Sequence, residues 1–344
     1  MKSQDMALAK KGLPEGGIDL SLGEPVLIRE NLHNLFKKLK YTPSQEPLKI
    51  LECEYPHAAG RAELVEFLKF KHKVKHVVIT NGAKQGISAA FRATKSKTKK
   101  SVWTPSPHWL SFPTLAKSEG LKLTNEQSEG KIWLLTFPNN PDGNVYSNPF
   151  DRAILSMKAI KDGIPVIHDA AYNSEQYLKP GEELQMGNIG VYSYAKTYGL
   201  AGLRIGYAIT DNEEYYDAMC EYIEETTMGV STASQEIILQ IEKFFYNNPG
   251  AKQYFMDNCR RDLNRNRAKL LQIDPRALKV KSVPEYGMFA FVEKGPKIKQ
   301  ALKKSKVFML DGKYFGQPKY MRVSLGQNSN KFAEAIDRIN ANVV

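Results

Sequence analysis

Lys196 lies in the stretch Val191-Tyr-Ser-Tyr-Ala-Lys196-Thr-Tyr-Gly-Leu-Ala-Gly-Leu-Arg204, at the end of an apolar run, with Ser193 shortly before it and Arg204 shortly after. An amine so placed can condense with a carbonyl to a Schiff base, while the hydroxyl and the guanidinium hold a phosphate nearby. Pyridoxal phosphate needs both provisions, and its chemistry would then set the reaction.

Other residues could complete such a site, and each has a plainer rival. Asp169, in His168-Asp-Ala-Ala-Tyr172, can face a pyridine nitrogen and keep it protonated; an aspartate there is also an ordinary cap or turn residue. Tyr172 and Asn140 can donate to a phenolic oxygen, although Asn139-Asn140-Pro-Asp-Gly143 is itself a strong turn signal and a half-buried tyrosine needs no catalytic reason. In Asn81-Gly-Ala-Lys-Gln85 a strand meets a helix. Gly82 permits close approach there, and the backbone N–H groups of Ala83 and Lys84 point at any anion beyond the helix start. Trp109 can stack on an aromatic ring or fill a core. Arg322, between apolar residues in Tyr320-Met-Arg-Val-Ser324, needs a partner if buried: a substrate carboxylate or an internal Asp or Glu.

Strands that alternate with helices must position these residues. Strand patterns fall at Val77–Thr80, Ser101–Thr104, Lys131–Phe137, Ile164–His168, Val191–Ala195 and Arg204–Ile209, with helical patterns at Lys84–Thr94, Phe150–Ile160 and Glu213–Glu225. This predicts an α/β fold with a mainly parallel central sheet sandwiched by helices. Gly82, Asn140, Asp169 and Lys196 each follow a strand, where open α/β sheets bind ligands. The C-terminal part reads as a smaller α+β unit: helices near Ser234–Tyr246 and Lys252–Leu271, strands Met288–Val292 and Tyr320–Leu325, and a last helix Lys331–Asn342. The expected division is an N-terminal segment, 1–45, packed on the small domain and with little periodicity of its own; a large domain, 46–235; and a small domain, 236–344.

Bulk composition is that of an ordinary globular protein, with 344 residues, 42% hydrophobic and 25% charged. No apolar run is long enough to span a bilayer and no signal-peptide pattern opens the chain, so a cytoplasmic location is expected. Cys53, Cys220 and Cys259 are far apart and show no metal spacing, which predicts free thiols and no metal site. The formal charge is +12. Its lysines are spread along the chain, so a solvated basic surface is preferred over nucleic-acid binding.

Taken in order, TNGAKQ, the tryptophan segment, NNPDG, DAAY, SYAK with GLAGLRIGY, and MRVS resemble the class I/II aminotransferases of the pyridoxal-phosphate fold type I, from Leu20-Ser-Leu-Gly-Glu-Pro25 to Arg322. The resemblance implies a transaminase that moves an amino group between an amino acid and a 2-oxo acid by a ping-pong mechanism. It implies that Lys196 binds pyridoxal 5′-phosphate and shuttles the proton, and that Asp169 pairs with the ring nitrogen. Asn140 and Tyr172 would hold the phenolic oxygen, and Trp109 would stack on the ring. Gly82, Ala83, Lys84, Ser193 and Arg204 would form the phosphate cup. Arg322, with Asn140 and the Gly23 backbone, would bind the substrate. Tyr55, in Tyr55-Pro-His-Ala-Ala-Gly60, resembles a tyrosine that reaches the phosphate across a dimer interface, implying a homodimer with a shared site.

Three departures stand out: Ala195 where a serine or threonine is common, Tyr286-Gly287 where Gly-Gly is common, and Asp311-Gly312 where Pro-Gly is frequent. None removes a catalytic group. The rivals are other reactions of the same cofactor, such as C–S or β-elimination and decarboxylation, and a non-catalytic regulatory or nucleic-acid-binding protein on the same fold.

Overall fold

The computed structural model describes residues 13–43, 55–144, 157, 159, 161–179 and 187–343. In chain order the strands are β1 (Ile18–Asp19), β2 (His76–Thr80), β3 (Ser101–Trp103), β4 (Lys122–Thr124), β5 (Ile132–Thr136), β6 (Val166–Asp169), β7 (Ile189–Ser193), β8 (Gly206–Thr210), β9 (Leu278–Lys279), β10 (Phe289–Lys294), β11 (Val307–Phe308), β12 (Leu310–Asp311) and β13 (Tyr320–Ser324). β5, β6, β7 and β8 are buried at every residue, and β2 at all but its first. That explains their unbroken apolar runs: a sheet covered on both faces has no solvent side to call for alternation.

Seven of these strands form the central sheet, in the order β2-β8-β7-β6-β5-β3-β4. All pairings from β7 to β4 are parallel. β8 runs antiparallel to both neighbours. The link from β7 to β8 holds only the Tyr194–Thr197 helix and the Ala201–Leu203 3₁₀ turn, so the chain doubles back beside β7 without a crossover helix. The mainly parallel α/β sheet is therefore present, with this one reversal. The reversal matters for the site. The start of β8 lies against the ends of β2 and β7, because Gly206 pairs with both Thr80 and Ser193.

A second, antiparallel sheet has the order β12-β13-β10-β9. β1 pairs with β11, and the Ser324 N–H donates to the Leu20 carbonyl at 2.8 Å, so the chain before residue 21 lies against the C-terminal part.

The N-terminal segment is more regular than its sequence pattern suggested. Val26–Lys38 is a helix that buries Leu27, Ile28, Leu32, Leu35 and Phe36. Those positions form one helical stripe, each side chain contributing on the order of 1.5–3 kcal/mol of burial. The expected helices appear at Ala83–Thr94, Glu213–Thr227, Thr232–Asn247, Pro249–Leu270 and Ser329–Ala341. Of the helix expected at Phe150–Ile160, only Met157 and Ala159 are among the described residues, and Cys53 lies outside them. Cys220 and Cys259 are free thiols. No helix among the described residues is long and apolar enough to cross a membrane.

Candidate active site

A cavity of about 460 Å³ opens where the carboxyl ends of the parallel strands meet the small sheet. Gly23, Ala83, Lys84, Trp109, Asn140, Asp169, Tyr172, Ser193, Lys196, Arg204 and Arg322 all line it. Of the remaining sequence candidates, Gly82 stands at its edge beside Arg204, while Tyr55 does not line it and is 81% exposed.

Lys196 does not end β7. The strand stops at Ser193, and Lys196 sits in the short Tyr194–Thr197 helix that follows. Its ammonium donates to the Gly23 carbonyl at 2.5 Å. The Nζ is 5.9 Å from the centre of the Tyr172 ring. Lys196 therefore reaches from the large sheet to the N-terminal segment.

Asp169 ends β6 and is buried. Burial pushes its carboxyl up to about 6; the Ala171 N–H, which donates to Oδ1 at 3.1 Å, and the nearby Lys196 charge pull it back only in part. Tyr172 is buried with its ring edge-on to Tyr177 and Phe289, at 6.0 and 5.5 Å between centres.

The helix Ala83–Thr94 begins at the cavity with no side chain capping its first N–H groups. Its preceding residue, Gly82, has φ +75°, and a Cβ there would stand 3.0 Å from Arg204 Nη2. The backbone conformation favours glycine there, and a Cβ would crowd the tip of the arginine. Arg204 itself is left-handed, at φ 51° and ψ 51°, which is uncommon for a non-glycine residue. Its guanidinium donates to the Ala201 and Asn81 carbonyls at 3.0 and 3.4 Å, and is held beside the helix start. Ser193 is buried at the end of β7, next to this pair. Trp109 is half-buried, edge-on to Phe112, with Lys84 Nζ 5.2 Å from its ring centre.

Arg322 lies in β13 and is 3% exposed. Nη1 donates to Asn140 Oδ1 at 2.8 Å and Nη2 to the Ser21 carbonyl at 2.7 Å. The guanidinium carbon stands 4.3 Å above the Phe289 ring. The sequence left open an internal Asp or Glu as its partner; these two acceptors are neutral oxygens. Asn140 links the two sheets through this bond.

The cavity is also lined by Ala195, the departure noted above, and by Leu22, Glu24, Ala171, Ala201 and Gly202, which the chemistry of the sequence did not single out. Small and apolar residues carry no chemical signal by type. Glu24 follows Gly23 in Leu20-Ser-Leu-Gly-Glu-Pro25 and faces Arg29 at 3.8 Å.

Comparison with known proteins places the chain in a family. The model of the aminotransferase class I and II family matches residues 17–339. A probable aspartate/prephenate aminotransferase of Aquifex aeolicus is 26% identical over 334 residues, covering 84% of this chain and 83% of that protein. An aspartate aminotransferase of Thermotoga maritima is 27% identical over 376 aligned positions, covering 97% and 92%. Among solved structures, a single mutant of Thermus thermophilus aspartate aminotransferase shares the fold with a TM-score of 0.77 at 21% identity, covering 98% of this chain and 94% of that one. The chain belongs to the class I and II aminotransferases, a pyridoxal-phosphate-dependent family of fold type I, and is a transaminase.

Proposed function

We propose that the cavity binds pyridoxal 5′-phosphate at Lys196 and transfers the amino group of a dicarboxylic amino acid to a 2-oxo acid. The donor set fits that cofactor. A buried carboxylate held up at about 6 suits a ring nitrogen that carries a proton. An uncapped helix start, a left-handed glycine and a guanidinium held beside it suit a phosphate. The observation that carries the reading is the convergence of Lys196, Asp169 and Arg322 from three distant parts of the chain on one cavity.

When bound, the cofactor supplies an aldehyde that condenses with amines and a ring that accepts the electron pair left by a departing α-proton. The residues of the chain do the rest. Asp169 would hold the ring nitrogen protonated. Tyr172 and Asn140 would hold the phenolic oxygen, and Trp109 would cover one face of the ring. The Ala83 and Lys84 N–H groups, Ser193 and Arg204 would hold the phosphate. Arg322 would take the α-carboxylate, with the Gly23 backbone closing that side, and so aim the α-hydrogen at the lysine. Lys196 Nζ would remove that proton and hold it for return, acting as base and then acid.

Two points support a second substrate carboxylate: the relatives matched are named for aspartate, and Lys84 brings a further ammonium to the same cavity. We place the domain division where the sequence did, with 1–45 joined to the small domain, 46–235 as the large domain and 236–344 as the small one. The exposed Tyr55 would meet the phosphate of a second copy in a cytosolic homodimer.

Loading the chain with cofactor and adding aspartate alone tests the reaction. One equivalent of pyridoxamine phosphate and of 2-oxo acid is expected. Catalytic conversion of aspartate to alanine and carbon dioxide would instead identify a decarboxylase.

A further inference from the structure

Lys196 is anchored by its own backbone as well as by the groups its amine meets. The Tyr194–Thr197 helix has four residues, too few to pair its later carbonyls within itself. Two of those carbonyls are taken by side chains from Glu175–Tyr177, a 3₁₀ turn about twenty residues earlier in the chain. The Tyr177 hydroxyl donates to the Lys196 carbonyl at 2.9 Å. Gln176 Nε2 donates to the Thr197 carbonyl at 2.7 Å and approaches the Lys196 carbonyl at 3.4 Å. Both side chains are nearly inaccessible, at 2% for Gln176 and 1% for Tyr177.

The cost of this arrangement is visible. Gln176 Oε1 is buried without a hydrogen-bond partner. Turning the amide over would set that oxygen against two carbonyls, so the donor orientation is dictated by them. Burial holds the Tyr177 phenol well above its ordinary pKa, which keeps it a donor. Tyr177 also reaches the small sheet. Its carbonyl accepts the Gly287 N–H at 3.0 Å, and its hydroxyl lies 3.8 Å from Met288 Sδ. Its ring meets the edge of Tyr172.

We infer that Gln176 and Tyr177 are positioning residues for the transfer reaction: they cap the helix that carries Lys196 and tie its backbone to the small sheet, so that Nζ swings from a fixed root. The inference rests on the role given to Lys196 above. Neither residue touches the reacting atoms.

The test uses Tyr177→Phe, which removes one oxygen, and Gln176→Met, which removes the amide at similar length. Hydrogen–deuterium exchange is followed on the cofactor-free full chain. One lost hydrogen bond corresponds to about tenfold faster exchange in the peptide spanning Tyr194–Gly199, with the β5 and β6 peptides at the parent rate. In the loaded enzyme, kcat should fall about tenfold while KM stays within about twofold, because substrate contacts are intact. Parent exchange in that peptide with parent kcat in both variants would overturn the inference. So would a uniform rise in exchange over the whole chain, which would mark the pair as core packing. Borohydride attachment of the cofactor to the unsubstituted chain is measured alongside. Its absence would sink the role of Lys196 without altering the exchange result in cofactor-free protein.

Discussion

Two groups of polar residues lie near the Lys196 backbone, and they differ in one respect. On one side Asp169, Asn140, Arg322 and the lysine amine open on the cavity. On the other, His72, Tyr194, Tyr198, Tyr207 and Glu242 pack together and do not line that cavity. His72 Nε2 lies 2.8 Å from the Tyr207 hydroxyl, Tyr192 and Tyr207 stack at 4.9 Å, and Glu242 accepts Lys71 at 2.8 and 3.0 Å. Burial shifts titrations in both, pushing Asp169 up to about 6 and His72 down to about 4. A shifted titration therefore does not mark a reactive site by itself. What marks the first group is that all four of its residues line one cavity, which none of the second group does. Tyr194 and Tyr198 flank Lys196 in sequence, so the closed group grips the chain on which the open group depends.

Substitutions in the two groups should separate activity from stability. Lys196→Ala removes the attachment point and the base together. Turnover should fall about 10⁴-fold or more, with an unchanged urea midpoint. Arg322→Leu should cost on the order of 10²–10³-fold in kcat/KM, read in steady state with aspartate, since a buried charged contact to the carboxylate is lost. A loss confined to stability would return Arg322 to a structural role. In the closed group, Glu242→Gln should lower stability by about 1–2 kcal/mol, discounted because Lys71 is one-third exposed, and leave kcat within about threefold. A kcat loss as large as that of Arg322→Leu would erase the distinction between the two groups.

The smallest effect sharpens the contrast through pH. In the cofactor-free fold Asp169 titrates at about 6 against an ordinary 3.8, so folding favours its protonated form. Its contribution is present below 3.8 and lost as pH rises to about 6. His72 titrates at about 4 against 6.5, so folding favours its neutral form, and its contribution is lost as pH falls from 6.5 towards 4. Denaturation of the cofactor-free chain between pH 4 and 6.5 should therefore show Asp169→Asn gaining on the parent as pH rises and His72→Phe gaining as pH falls. Parallel pH curves for both variants and parent would contradict these assignments.

The part of the molecule that was legible in the sequence is the part where a charged or amide side chain lies within or just beyond an apolar strand pattern. Asp169, Asn140, Lys196 and Arg322 combine a charged or amide group with an apolar neighbourhood, and that contrast survives without coordinates. Strands such as Ile132–Thr136 were legible because burial on both faces demands an unbroken apolar run. The helix Val26–Lys38 was overlooked although its apolar residues recur at helical spacing, since no capping side chain marks its start at Pro25. β4 was hidden because it is three residues long and mostly solvated at the sheet edge. The reversal of β8 and the reach of Gln176 and Tyr177 to the lysine helix are long-range facts. No local pattern encodes which distant donor will cap a carbonyl.

The central claim concerns a single amine. Adding pyridoxal 5′-phosphate to the purified chain, reducing with borohydride and mapping the modified peptide by mass tests it directly. The account predicts one equivalent of adduct, on the peptide carrying Lys196, and none in Lys196→Ala. An unmodified Lys196, or an adduct scattered over surface lysines, would contradict it.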